Sequence, residues 1–72
     1  MAERILGKIQ RIAVQKGFFF VRDESGHDYF CHRSELRDGW RFEALAEGMD
    51  VEFLPVADAP KGPRATDMKI LS

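Results

Sequence analysis

Apolar and polar residues alternate along short segments of this chain, a pattern that predicts β-strands. Side chains of a strand point alternately to its two faces, so residues of one parity line one side. The clearest case places Met49, Val51 and Phe53 on one face and the acidic Asp50 and Glu52 on the other. The pattern therefore predicts a sheet with one buried face.

Five short strands separated by turns are predicted for the whole chain. They span residues 4–13, 18–22, 28–32, 49–55 and 64–71, with Met68 and Ile70 of the last strand pointing inward. Aspartate, serine, glycine and proline mark the turns between them. The longest connection, 33–48, is predicted to hold a turn or two of helix near 34–36 and 42–46. Five antiparallel strands in so short a chain indicate a closed or nearly closed barrel, which removes exposed sheet edges.

The first strand contains a break in its alternation. Ile5, Gly7 and Ile9 share one parity, but Ile12 has the other. A bulge shifts the parity of a strand by one residue. We therefore expect a bend or bulge near Gly7 or Arg11.

The size and composition indicate one small folded domain spanning residues 1–72. Of the 72 residues, 44% are hydrophobic and 32% are charged, which argues against disorder. A single cysteine excludes an internal disulfide, and the longest apolar run, 17–21, is too short to cross a membrane. No signal-peptide stretch is recognisable at the N-terminus. These features favour a cytoplasmic protein without a membrane partner.

The charge is unevenly distributed. The net charge is −1, yet residues 1–41 hold eight basic against six acidic side chains, and residues 42–72 hold three against six. A local excess of positive charge, rather than the net charge, determines attraction to a polyanion. Ordinary solvated charge explains the same distribution, so the charge alone does not decide between the two interpretations.

The segment that carries the functional prediction is rich in phenylalanine. Phe18 and Phe20 share one face of the second strand, and Phe19 shares the other with Val21. Two outward phenylalanines are unfavourable unless a ligand covers them. The alternative is that both faces are buried in a core.

The third strand repeats this arrangement, with Phe30 and His32 on the face opposite Tyr29 and Cys31. If the two strands form a hairpin, the outward side chains make one aromatic patch with basic residues at its margins. The patch would comprise Phe18, Phe20, Phe30 and His32, bordered by Arg11, Lys16 and Arg33. Bases of a single strand stack on such rings while cations contact the phosphates.

These residues resemble a known family. Residues 16–21, followed by Phe30 and His32, are similar to the two ribonucleoprotein motifs of the bacterial cold-shock proteins. Residues 7–9, 47–53 and 61–65 resemble that family's first strand, fourth strand and last turn. The resemblance implies a five-stranded antiparallel barrel of the oligonucleotide/oligosaccharide-binding (OB) fold. It also implies low-specificity binding of single-stranded RNA or DNA, as a nucleic-acid chaperone or a transcriptional or post-transcriptional regulator.

The family's binding positions carry over to particular residues here. The matching residues are Lys16, Phe18, Phe20, Asp28, Phe30, His32 and Lys61. Trp40 falls in the loop where the family usually has an aromatic stacking residue, and Phe42 competes with it for that role.

The sequence also departs from the family pattern. Where the family's first strand usually has Lys-Trp-Phe, this chain has Gln10, Arg11 and Ile12. Arg33 replaces the aromatic residue that usually follows the histidine. Phe19 replaces a small glycine, and its larger side chain must fit inside the barrel. Fewer stacking rings and more cations predict weaker binding with a steeper salt dependence, and allow a different base preference.

Other chemistry finds little support in the sequence. His32 and Cys31 point to opposite faces, so we expect no zinc site, and we expect no other metal or cofactor. The sequence shows no group that would activate Cys31 as a nucleophile and no pair of carboxylates suited to acid–base catalysis, so we do not expect an enzyme. The alternatives are a barrel that binds a peptide through the same aromatic face, and one that buries Phe18 and Phe30 in a dimer. We expect a monomer, and the alternative is a weak dimer.

Overall fold

The computed structural model describes residues 3–56 and 62–71 and forms a closed barrel of five strands in the order β1-β2-β3-β5-β4. The strands are β1 (Ile5–Ala13), β2 (Phe18–Asp23), β3 (Asp28–His32), β4 (Asp50–Val56) and β5 (Arg64–Ile70). Two single 3₁₀ turns, Arg33–Glu35 and Phe42–Ala44, lie in the connection between β3 and β4. The predicted strands and short helical turns are confirmed, with strand ends that differ by one residue.

One strand pair differs from the predicted antiparallel arrangement. The other four neighbouring pairs are antiparallel, but β3 and β5 run parallel, with Phe30 paired to Arg64. The Phe30 amide donates to the Pro63 carbonyl at 3.1 Å. Strand directions cannot alternate all the way around a ring with an odd number of strands. A closed five-stranded barrel must therefore contain a parallel pair, and here it is the pair that closes the barrel.

The bulge predicted in the first strand lies at Gln10. Ile9 pairs with Val21 and Arg11 pairs with the preceding residue, Phe20, so Gln10 is the extra residue. Ile9 is 1% exposed inside the barrel, and by simple alternation Arg11 would point inward as well. The bulge instead brings Arg11 to the outer face, where its side chain is exposed.

The close packing of β1 between β2 and β4 explains the glycine at position 7. A Cβ on Gly7 would lie 2.5 Å from the Arg22 carbonyl oxygen and 3.2 Å from the Phe53 ring. Real Cβ atoms do not approach a carbonyl so closely, so any larger residue would push the strands apart. Gly7 thus permits the tight strand packing at this point.

The interior of the barrel is filled by apolar side chains. The buried residues are Ile9, Phe19, Val21, Cys31, Phe42, Val51, Phe53, Ala65, Met68 and Ile70. The inward positions predicted for β4 and β5 are confirmed. In β5 the inward parity changes between Ala65 and Met68, where Asp67 adopts a left-handed φ of 49° and the register against β4 shifts.

Candidate nucleic-acid interface

Three phenylalanine rings form a cluster on the outer face of β2 and β3. The Phe18 and Phe30 ring centroids are 4.9 Å apart, those of Phe18 and Phe20 5.6 Å, and those of Phe20 and Phe30 5.9 Å. All three side chains are half-buried. Their neighbours in the chain, Phe19 and Cys31, are fully buried in the barrel. The predicted facing of both strands is confirmed, so the rings of this cluster lie outside the core.

Cross-strand pairing places two rings of the cluster, Phe20 and Phe30, in the middle of a row of four side chains. Arg11 pairs with Phe20, Phe20 with Phe30, and Phe30 with Arg64. Directly paired residues lie on the same face of a sheet with their Cβ atoms about 4.5–5.5 Å apart. The row therefore has an arginine at each end and two aromatic rings between them. We call these four residues the central row.

Arg64 is a candidate binding residue that sequence analysis did not identify. Its guanidinium carbon lies 5.4 Å from the Phe30 ring centroid, within the range of a cation–π contact. Its place at the start of β5 was predicted from the sequence. Its position beside Phe30 depends on the parallel β3–β5 pair, for which the local pattern contains no signal.

His32 lies at one end of a neighbouring row, paired with Phe18, which in turn pairs with Ala13. The His32 Nδ1 atom accepts a hydrogen bond from the Ser34 amide at 3.1 Å and lies 2.9 Å from the Ser34 hydroxyl oxygen. In the neutral ring this contact assigns the proton to Nε2. His32 is thus oriented by the backbone that follows it and has one donor left for a ligand.

Asp28 lies on the same outer face, but Arg22 already holds its carboxylate. The Arg22 Nε atom donates to Asp28 Oδ1 at 2.7 Å, and the pair is exposed. This hydrogen bond lowers the pKa of Asp28 and raises that of Arg22. A base that binds Asp28 would have to share it with Arg22.

The cations around the cluster differ from three others on the barrel, which are held in ion pairs. Lys8 pairs with Asp50 at 2.6 Å, and Arg4 and Arg37 pair with the carboxylate of Asp67. By contrast, four exposed cations border the cluster without an ion pair to any carboxylate within residues 3–56 and 62–71. They are Arg11, Lys16, Arg33 and Arg64. Their charges are available to an anionic ligand.

Arg33 owes its position to the turn between β1 and β2. The Arg33 amide donates to the Gly17 carbonyl at 3.0 Å, and its side chain lies over Gly17. A Cβ at position 17 would lie 3.3 Å from Arg33 Cδ, and Gly17 has a φ of 76°, which favours glycine. The glycine therefore allows the Arg33 side chain to lie close against the turn next to Phe18.

The remaining predicted residues are less closely associated with the cluster. Trp40 is half-buried and packs against the core. Phe42 is 9% exposed, and its ring centroid is 6.3 Å from that of Phe19, so it belongs to the interior and does not compete as a stacking residue. Lys61 lies outside the described residues.

The part of the chain that the structure describes contains neither a metal site nor a reactive thiol. No group of three or more His, Cys, Asp or Glu side chains is arranged there to hold a metal ion. Burial raises the pKa of the Cys31 thiol to about 12, which suppresses the reactive thiolate. Nor does any helix within residues 3–56 and 62–71 have the length and hydrophobicity to span a membrane.

A closed five-stranded barrel with an aromatic, cationic outer face defines an OB-type barrel of the cold-shock class. The family model described as the 'Cold-shock' DNA-binding domain matches residues 5–71, and the chain belongs to this family. Members of this family bind nucleic acids and are not enzymes.

Curated relatives and a solved structure agree with this assignment. The chain is 36% identical to cold shock-like protein CspC of Bacillus cereus, over 86% of this chain and 92% of that protein. It is 34% identical to the major cold shock protein CspA of Pseudomonas aeruginosa, over 99% of this chain and all of that protein. The solved structure of drosophila Unr CSD456 superimposes with a TM-score of 0.77 at 26% identity, covering 99% of this chain and 28% of that one.

Proposed function

We propose that this protein binds single-stranded RNA or DNA across the outer face of β2 and β3, with little overall sequence specificity. The observation that carries the proposal is the cluster of Phe18, Phe20 and Phe30 outside the core, bordered by cations that have no ion pair within the described residues. The exposed part of these apolar rings forms a patch on the surface, and binding of a ligand removes it from water. A strand of unpaired bases covers this patch and carries the negative charge that the cations attract.

The ligand is single-stranded because stacking needs free base faces. Each base stacked on an aromatic side chain contributes about 1–3 kcal/mol, and any base has such a face. The bases of a duplex are already stacked on each other, so they gain little from the phenylalanines. Stacking also explains why sequence specificity is low.

The local charge favours this ligand despite the net charge of −1. Arg11 and Arg64 lie at the two ends of the central row, and Lys16 and Arg33 lie near the turn that precedes Phe18. The acidic Asp28 on this face is neutralised by Arg22. A phosphate backbone passing the cluster therefore meets cations on both sides.

The cellular role that fits this binding is that of a nucleic-acid chaperone or a regulator of transcription or translation, acting in the cytoplasm as a single monomeric domain. The names of the curated relatives, cold shock-like proteins, favour such a role. Binding of single strands in preference to duplex would favour melting of RNA secondary structure, since it stabilises the unpaired state.

A competition experiment tests the proposal. A fluorescently labelled hexathymidine bound to the protein is challenged with unlabelled hexathymidine, hexauridine, or a duplex of equal phosphate concentration, and anisotropy is recorded. We expect both single strands to displace the label and the duplex to displace it poorly. Equal competition by the duplex would indicate binding through phosphates alone. If the label does not bind and the mass rises with protein concentration, the phenylalanine cluster is a dimer interface.

A further inference from the structure

A groove runs along one side of the phenylalanine cluster, between it and the end of β1. Phe18 and Phe20 form one wall, Ala13 contributes apolar surface, and Arg11 and Lys16 contribute the charged groups. Gln15 of the β1–β2 turn also lines the groove. The groove therefore combines stacking surface with hydrogen-bond donors, which is the combination that recognises a particular base rather than any base.

Arg11 is placed in this groove by the Gln10 bulge. Without the extra residue, its side chain would point into the barrel; with it, Arg11 lies opposite Phe20 on the outer face. Its guanidinium makes no hydrogen bond or ion pair with another residue of the ranges 3–56 and 62–71. The five N–H donors of this side chain are thus available to a ligand that stacks on Phe20.

The chemistry of the groove selects among the bases. Arginine offers two parallel donors and no acceptor, and Lys16 likewise only donates. The O6 and N7 atoms of guanine are two adjacent acceptors that match the arginine fork. On that edge adenine presents one acceptor and one donor, thymine or uracil presents a single acceptor, and cytosine presents only a donor. Gln15 is the one groove side chain that suits adenine, and it lacks the charge of its two neighbours.

We propose that this groove is a guanine subsite, in which the base stacks on Phe20 while Arg11 donates two hydrogen bonds to its O6 and N7 atoms. The inference rests on the proposed single-strand binding and adds one base-selective position to an otherwise unselective surface. Arg33 and Arg64 lie outside the groove lining. Their charges are therefore left for the phosphates, and Arg11 is left for the base.

The test replaces one thymidine of a labelled hexathymidine, at each position in turn, with guanine, hypoxanthine, 7-deazaguanine or adenine. Hypoxanthine keeps both O6 and N7, whereas 7-deazaguanine lacks N7. In at least one position we expect guanine and hypoxanthine to bind about fivefold or more tightly than thymine and adenine, the lower end of the effect of a bidentate arginine–guanine pair. The 7-deazaguanine strand should lose this advantage.

An Arg11→Lys variant separates base recognition from charge, because lysine keeps the charge but lacks the planar fork. We expect it to abolish the guanine preference, measured as the ratio of the affinities for the guanine-containing strand and for hexathymidine within the same variant. Lys69→Arg, a charge-conserving exchange on the exposed side of β5, is the matched control, and its melting temperature and that of Arg11→Lys should match the wild type.

Three results would overturn the subsite. The first is equal affinity for guanine and thymine strands, and the second is a 7-deazaguanine strand that binds as tightly as the guanine strand. The third is an Arg11→Lys variant whose binding of all strands is weakened equally, which would assign Arg11 to phosphate. Tight binding of hexathymidine with any of these results leaves the proposed function intact. Absence of binding to every strand refutes both.

Discussion

Phe18 and Phe19 are adjacent in the chain and lie on opposite sides of the barrel wall. The Phe18 ring packs outside, 4.9 Å from that of Phe30, while Phe19 is fully buried and packs 6.3 Å from Phe42. Alternation along a strand imposes this separation. The consequence is that ligand binding and stability depend on different members of the same short segment.

The first prediction follows from this separation. Phe18→Ala and Phe30→Ala should each weaken single-strand binding by about 1–3 kcal/mol, the contribution of one stacked base, with little change in the free energy of unfolding. Phe19→Ala should lower the free energy of unfolding by about 3–5 kcal/mol, because it leaves a cavity in the core. Urea denaturation and anisotropy titration of the same samples measure the two effects.

A chain of this size has a small free energy of unfolding, so the Phe19→Ala protein is at risk of not folding. Phe19→Leu provides a milder variant for the same comparison. Loss of binding by a folded Phe19 variant, with normal binding by Phe18→Ala, would reverse the assignment of the two faces.

Arg64 provides the second prediction, because it combines a positive charge with a planar group against Phe30. Arg64→Gln should weaken binding and reduce the magnitude of the log–log salt slope by about 0.7, the effect of one lost phosphate contact on a single strand. Arg64→Lys should restore the slope but only part of the affinity, since lysine cannot stack. A slope that Arg64→Gln leaves unchanged would remove Arg64 from the phosphate contacts.

The third prediction concerns acid stability and the turn between β2 and β3. Burial of Asp23 opposes its ionisation, but hydrogen bonds from the His27 amide, the Tyr29 hydroxyl and the Ser25 amide more than offset it and lower the pKa of Asp23 below its ordinary value of 3.8. A carboxyl with a lowered folded-state pKa stabilises the fold above its unfolded pKa. That stabilisation is lost as the pH falls through the lower, folded-state pKa.

Asp23→Asn isolates this contribution. Urea denaturation of the wild type and the variant should give a difference in the free energy of unfolding that is constant above about pH 5. The difference should shrink as the pH falls below about 4, because the carboxyl of the unfolded chain takes up a proton at a higher pH than that of the folded protein. A difference that grows on acidification would mean that the pKa of Asp23 is raised in the folded protein.

Cys31 provides the fourth prediction. Its side chain is fully buried, and burial raises the pKa of the thiol to about 12. A thiol reagent at pH 8 should therefore react with the native protein only as fast as the protein opens, and rapidly after denaturation in urea. Reaction of the native protein at the rate of a free thiol would place Cys31 on the surface.

The sequence predicted the parts of the interface that depend on local alternation. The facing of β2 and β3 follows from period two, and the bulge in β1 follows from the conflicting parities of Ile9 and Ile12. The identity of the extra residue did not follow, because moving it by one or two positions satisfies the same pattern. That detail determines whether Arg11 points into the barrel or onto its surface.

The parts that depend on pairing between distant segments were not predicted. Arg64 lies beside Phe30 because β5 closes the barrel against β3, a contact between residues 34 positions apart in the sequence. Likewise, the sequence offered both Trp40 and Phe42 as stacking residues. In the structure Phe42 packs on Phe19 and therefore belongs to the core, which leaves Trp40 as the candidate.

The most direct test of single-strand binding is an anisotropy titration of labelled hexathymidine or hexauridine with the wild-type protein at two salt concentrations. The account predicts saturable binding that weakens with salt, with a log–log slope of about −0.7 for each phosphate contact. Absence of binding at low salt with micromolar protein would contradict the account, and would leave the cluster as a surface for a peptide or a second copy of the chain.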